Sequence, residues 1–186
     1  MVKKCVVTFS KENLCVFWCV DLLSGRATHF FNLRGIFMKT VTFCGHSKIS
    51  YTDLPKIKEK LLEELKKLIT LGATEFLLGG YGMFDLLCAQ TVKELKFEYP
   101  HIKSVLVIPY INRDFNKTLY DCSEYPPLEN VPKKFAISKR NEYMIKKSDA
   151  VIAYITHEYG GAFTTFEYAK KHGLNCVNLY EKEATE

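Results

Sequence analysis

The chain has 186 residues, 47% of them hydrophobic and 25% charged, with a formal net charge of +5. That length suits one domain with a sizeable core, and no run reaches the ~18 uninterrupted apolar residues of a membrane span. Of the excess, +3 lies within residues 1–37; residues 38–186 carry 21 Lys/Arg against 19 Asp/Glu, which argues against duplex nucleic acid as a partner.

Residues 1–37 have a basic start and the apolar run "LCVFWCV", which stops at Asp21. No small-residue cleavage site follows, so a signal peptide is not expected. The runs "KKCVVTF" and "LCVFWCV" suit a hairpin across "SKEN". A strong strand begins directly after Met38, and the chain is expected to divide there. Residues 1–37 are then an N-terminal extension, or precede a true start at Met38, and 38–186 form the main domain.

From Met38 strands and helices alternate. "KTVTFCG" (39–45) is a β-branched strand closed by glycine. Residues 53–72 form an amphipathic helix, with Leu54, Ile57, Leu61, Leu65, Leu68 and Ile69 at helical spacing, Asp53 as cap and Gly72 as stop. "TEFLLGG" predicts the second strand and "MFDLLCAQTVKELKFEYP" the second helix; "KSVLVIPY" (103–110) is a third, wholly apolar strand. The polar segment between Tyr110 and Ser138 is too long for an ordinary connector and reads as a lid. "SKRNEYMIKKS" (138–148) predicts a helix capped by Ser138, "DAVIAYIT" a fourth strand, "TTFEYAKKHG" a helix and "LNCVNLY" a fifth strand. The expected fold is α/β: a single Rossmann-like domain, with a mostly parallel sheet of about five strands and helices on both faces.

In such a sheet ligands bind beyond the strand C-termini. Two glycine loops fall on that edge, Gly79-Gly80-Tyr81-Gly82 and Gly160-Gly161, each opening a helix. Free amides and the helix dipole make helix N-termini anion sites, so the glycines are expected to let a phosphate-bearing ligand approach the backbone. Gly45, His46 and Ser47 follow the first strand onto the same edge. Asp85 is placed to accept a ribose hydroxyl, Arg140 and Asn141 to meet phosphate, and Thr164, Thr165 and Glu167 to line the second loop. Tyr81, Tyr110 and Phe163 are candidates to stack a base. Seven cysteines (5, 15, 19, 44, 88, 122 and 176) show no CxxC pair and no histidine spacing for zinc. They suit a reducing cytoplasm; neither a metal nor a cofactor is read.

The stretch "KRNEYMIKKSDAVIAYITHEYGGAFTTFEYAKKHG" resembles the second signature of the SLOG superfamily, which embraces Lonely Guy phosphoribohydrolases and DprA-like proteins. "GGYGMFD" resembles its first glycine motif and "VTFCGHS" its opening strand; "RN-x-x-M" and "FCGH" are most similar to the YpsA-like branch. The resemblance covers residues 39–180. It implies a Rossmann-like nucleotide-binding domain, and in the Lonely Guy enzymes an arginine and a glutamate matching Arg140 and Glu167 cleave the N-glycosidic bond of nucleoside monophosphates. Here Tyr159 replaces the proline of PGGxGTxxE, Phe163 replaces its third glycine, and Ser47 stands where many YpsA-like proteins carry arginine. A nucleotide-binding sensor or regulatory module is therefore the leading expectation, a nucleoside 5'-monophosphate phosphoribohydrolase the alternative. A small-molecule nucleotide or derivative is the expected partner, without a membrane; a homo-oligomer stays open.

Overall fold

The computed structural model describes residues 38–111 and 116–180, Lys117 among them by its backbone alone, and residues 3–9, 15–21 and 27–32 as backbone. The chain falls into two units, Met1–Phe37 and Met38–Glu186. The first holds β1 (Lys3–Phe9), β2 (Cys15–Asp21) and β3 (Ala27–Asn32), an antiparallel meander in the order β1-β2-β3. β1 and β2 pair from Lys3 opposite Asp21 to Phe9 opposite Cys15.

The second unit holds β4 (Thr40–Gly45), α1 (Leu54–Thr70), β5 (Glu75–Leu78), α2 (Gly82–Leu95), β6 (Lys103–Val107), β7 (Cys122–Glu124), α3 (Ala136–Lys147), β8 (Ala150–Tyr154), α4 (Gly160–Lys171) and β9 (Asn175–Asn178). The six strands are parallel, in the order β7-β6-β5-β4-β8-β9. Alternation along β4 sets the layers. Val41 and Phe43 join a core with Ile57, Leu61 and Leu65 of α1 and Phe84 and Val92 of α2. Cys44 turns to the other face, where Val151 and Ala153 of β8 meet Ile145 of α3 and Phe166 and Ala169 of α4. Both faces are covered, which is why these strands read as nearly continuous apolar runs.

Three boundaries differ from the sequence expectation. The sheet has six strands because β7, inside the segment read as a lid, pairs with β6. Its anchor is polar: the Asp121 carboxylate accepts from Ser104 N (2.7 Å) and Ser104 Oγ (3.0 Å), a pairing that hydrophobic periodicity does not register. α3 starts at Ala136, after a 3-10 turn at Lys133–Phe135, so Ser138 lies inside the helix and does not cap it. α4 starts at Gly160, so Glu167 sits in its second turn and away from the amides of the first. Asp53 does occupy the N-cap of α1, but by its backbone; its side chain makes no capping bond. Asp149, within the "SDA" string, accepts from Lys39 N (2.8 Å) and Thr40 N (2.9 Å) and so ties β8 to β4 at the sheet edge opposite the glycine loops.

Candidate functional site

The chain runs outward from β4 in both directions, through β5 on one side and β8 on the other, so the strand order reverses between β4 and β8. Ligands of open α/β sheets occupy the crevice at such a switch point. Here it is flanked by Gly45-His46-Ser47 after β4 and by residues 155–159 after β8.

The first glycine loop is filled by the chain itself. A β-carbon at Gly45 would stand 2.3 Å from the Phe84 ring, and one at Gly79 would stand 2.3 Å from Arg140 Nη1 and 2.8 Å from Asp85 Oδ2. Gly82 has φ +90°, and a β-carbon there would meet Ser47 Cα at 2.8 Å. Met83 N donates to Ser47 O at 3.0 Å, so the N-terminus of α2 already serves the loop after β4. These glycines admit neighbouring side chains and backbone.

Arg140 and Asp85 brace this loop from beneath. Arg140 is 2% exposed; its Nη1 donates to Val107 O at 3.1 Å, and its guanidinium lies 5.3 Å from the centre of the Tyr81 ring. Asp85 accepts from Gly79 N (3.3 Å) and Tyr81 N (3.1 Å). Burial pushes the Asp85 pKa up, against the downward pull of Arg140 and of the two amides. Both carboxylate oxygens thus have work within the loop, and the Arg140 charge faces Asp85.

The second loop is different. The N-cap Tyr159 (φ −147°, ψ 165°) makes no side-chain cap to α4. Gly160 has φ +87°, and a β-carbon on Gly160 or on Gly161 would meet nothing within 4 Å. The first-turn amides of a helix have no partner within the helix, and here no atom crowds the side on which β-carbons of Gly160 and Gly161 would stand. Thr164 Oγ1 donates back to Gly160 O (3.1 Å), Thr165 Oγ1 to Gly161 O (2.8 Å), and Asn141 Nδ2 to Thr165 Oγ1 (3.1 Å), which fixes α4 against α3. Beside the loop lies a cleft of about 530 Å³, lined among others by Thr156, His157, Phe163, Lys170 and Asn178. Asn178 pins its wall, accepting from Ile155 N (2.9 Å) and donating to Ile155 O (3.0 Å).

Between the two flanking loops stands a stack of rings. His46 lies on His157 with centroids 3.7 Å apart and planes at 21°, and His157 lies on Tyr159 at 3.8 Å and 18°. His46 Nε2 and His157 Nδ1 are buried without a hydrogen-bond partner. Burial, and then the neighbouring His157, lower the His46 pKa. His157 and Asn178 were not singled out in the sequence. His157 lies directly beside the second glycine motif, but its partner His46 comes from the far end of the domain.

Other expected residues fall elsewhere. The Glu167 carboxylate pairs with Lys170 Nζ at 2.8 Å and lies near Cys176 of β9. Arg140 turns instead toward Val107 of β6 and the glycine loop after β5. Tyr110 Oη donates to Lys133 O at 2.9 Å and so ties the start of the segment after β6 to the turn before α3. A smaller cleft of about 240 Å³ lies beside the first loop, lined by Gly80, Tyr81, Leu106, Leu119 and Tyr120 among others. Burial raises the Cys44 thiol pKa far above the usual range, so it is no nucleophile. Among the described residues no three His, Cys, Asp or Glu side chains gather as a metal-holding group, and no helix is long and apolar enough to cross a membrane.

A Rossmann-like sheet with two glycine motifs on its C-terminal edge defines a SLOG-type protein, and the comparisons agree. Residues 46–181 match the family model YpsA, described as the YspA SLOG family, and the chain belongs to that family. It is 30% identical over 141 residues to the uncharacterized SPbeta prophage-derived protein YoqJ of Bacillus subtilis strain 168, spanning 62% of this chain and 81% of that one. A UPF0398 protein of Brevibacillus brevis is 24% identical over 147 residues, 69% of this chain and 78% of its own. Among solved structures, DNA processing protein A of Helicobacter pylori, described for its single-stranded DNA binding mode, superposes with a TM-score of 0.55 at 14% identity, over 98% of this chain and 82% of that one. At that identity the likeness shows the fold alone. Family and fold together support a nucleotide-related role.

Proposed function

We propose that the protein binds a nucleotide or nucleotide-derived ligand at the C-terminal edge of the sheet and acts as a sensing or regulatory module in a reducing cytoplasm. The observation that carries this reading is the difference between the two glycine loops. The N-terminus of α2 is engaged by Ser47 O, whereas at the start of α4 a β-carbon on Gly160 or Gly161 would meet nothing within 4 Å. An uncapped helix N-terminus beside a switch-point crevice favours phosphate. Within this reading Gly45, Gly79, Gly80, Gly82, Asp85 and Arg140 shape the loops; His46, Ser47, Asn141, Gly160, Gly161, Thr164 and Thr165 border the ligand.

Binding without turnover is favoured over a phosphoribohydrolase because Glu167 pairs with Lys170 while Arg140 is spent on Val107, Tyr81 and Asp85. Phe163 also brings a side chain to the position where the hydrolase motif has glycine. The test is calorimetric titration with AMP, GMP, CMP, UMP and ribose 5-phosphate, with chromatography for free base in the same samples. Saturable binding with no base released is expected, and Glu167→Gln should alter affinity less than about threefold (~0.65 kcal/mol). Base release that disappears in Glu167→Gln would establish the hydrolase instead.

A further inference from the structure

The stack of His46, His157 and Tyr159 ends in an unused face. Its spacings of 3.7 and 3.8 Å are shorter than the ~4.5–7 Å usual between aromatic centroids, so the three rings lie flat on one another. His157 covers one face of Tyr159, yet Tyr159 remains 70% exposed. Beyond it come Gly160 and Gly161, with no heavy atom near their missing β-carbons. The backbone of Tyr159, at φ −147°, is closed to the proline that the Lonely Guy motif carries there, because a pyrrolidine ring holds φ near −65°. The extended conformation sets an aromatic side chain over His157 at the residue that also opens α4.

A flat ring that is 70% exposed and the first turn of a helix, whose amides have no partner within the helix, are thus adjacent in the chain. The first suits a planar heterocycle, whose π-face stacks on an aromatic whatever its edge; the second suits phosphate. We infer that Tyr159 is the base platform of the site: the nucleobase of the bound nucleotide stacks on its outer face as the fourth ring, while the phosphate meets the amides of Gly160 and Gly161. This deepens, and rests on, the nucleotide reading above. The histidines beneath hold the platform in place by flat ring-on-ring contact, His46 on His157 and His157 on Tyr159. Discrimination among bases is then weak and follows stacking area, purines above pyrimidines.

The test compares AMP, UMP and ribose 5-phosphate on the wild-type protein and on Tyr159→Ala and Tyr159→Phe, by calorimetry and by proton NMR of the ligand. Because Tyr159 is exposed, neither substitution threatens folding, and circular dichroism confirms it. In the wild type the H2 and H8 protons of AMP should shift upfield through the ring current. Tyr159→Ala should lose that shift and weaken AMP about tenfold, leave ribose 5-phosphate within twofold, and Tyr159→Phe should restore both. AMP bound equally well by Tyr159→Ala, with no upfield shift in the wild type, overturns the platform while ribose 5-phosphate binding still upholds the phosphate site. Failure of all three probes to bind the wild type removes the nucleotide reading itself, and the platform with it.

Discussion

Arg140 carries a positive charge at 2% exposure, and its worth depends on what it faces. Removing one member of a buried charge pair leaves the other uncompensated and costs about 3–5 kcal/mol. Arg140→Ala strands Asp85 and takes a donor from Val107 O, so stability should fall by about that much, read by urea unfolding. A loss below about 1 kcal/mol would reassign this arginine from the loop to a ligand. His46 allows a second prediction. Its folded pKa lies below the ordinary histidine value of 6.5, so below pH 6.5 the unfolded chain takes up a proton that the folded chain refuses. Stability should therefore be full above pH 6.5 and fall with acidification until the folded pKa is passed. Unfolding curves across that window should show a weaker acid dependence in His46→Phe, which keeps a flat ring and cannot titrate; an unaltered slope would mean that His46 is not the group responsible.

At the scale of elements, two glycines with positive φ do opposite jobs. Gly82 lets α2 press against Ser47, whereas Gly160 opens α4 toward vacant space. Gly82→Val meets both the left-handed backbone and Ser47 Cα, and should cost about 2–4 kcal/mol of stability. The neighbouring Gly161 has no positive φ and an open β-carbon position. Valine is also a better helix residue than glycine, so Gly161→Val should keep the melting temperature while its side chain stands before the amides of α4. Ribose 5-phosphate and AMP should then bind at least about tenfold more weakly (~1.4 kcal/mol). Full affinity in a folded Gly161→Val would move the phosphate away from α4. Sequence alone gave the two loops equal standing, because glycine spacing records that a side chain is missing and not what fills its place.

For the whole molecule, the unit that begins at Met38 holds a core of its own on both faces of its sheet. A chain starting at Met38 should therefore unfold cooperatively, with a melting temperature within a few degrees of the full chain and unchanged nucleotide affinity. Aggregation, or a large loss of melting temperature, would make residues 1–37 part of the folding unit. The parallel sheet, its layers and the edge that carries both glycine loops were legible in the sequence. Alternating apolar strands and amphipathic helices leave few other ways to bury their faces, and strand C-termini in a parallel sheet share one edge by construction. The sixth strand was not legible, since three polar-flanked residues and the Asp121–Ser104 bonds make no periodic pattern. Nor could the chain reveal that Arg140 is buried or that His46, His157 and Tyr159 stack. Those facts depend on which side chains from distant segments share a space, and local spacing holds no record of that until the sheet order brings β4 beside β8.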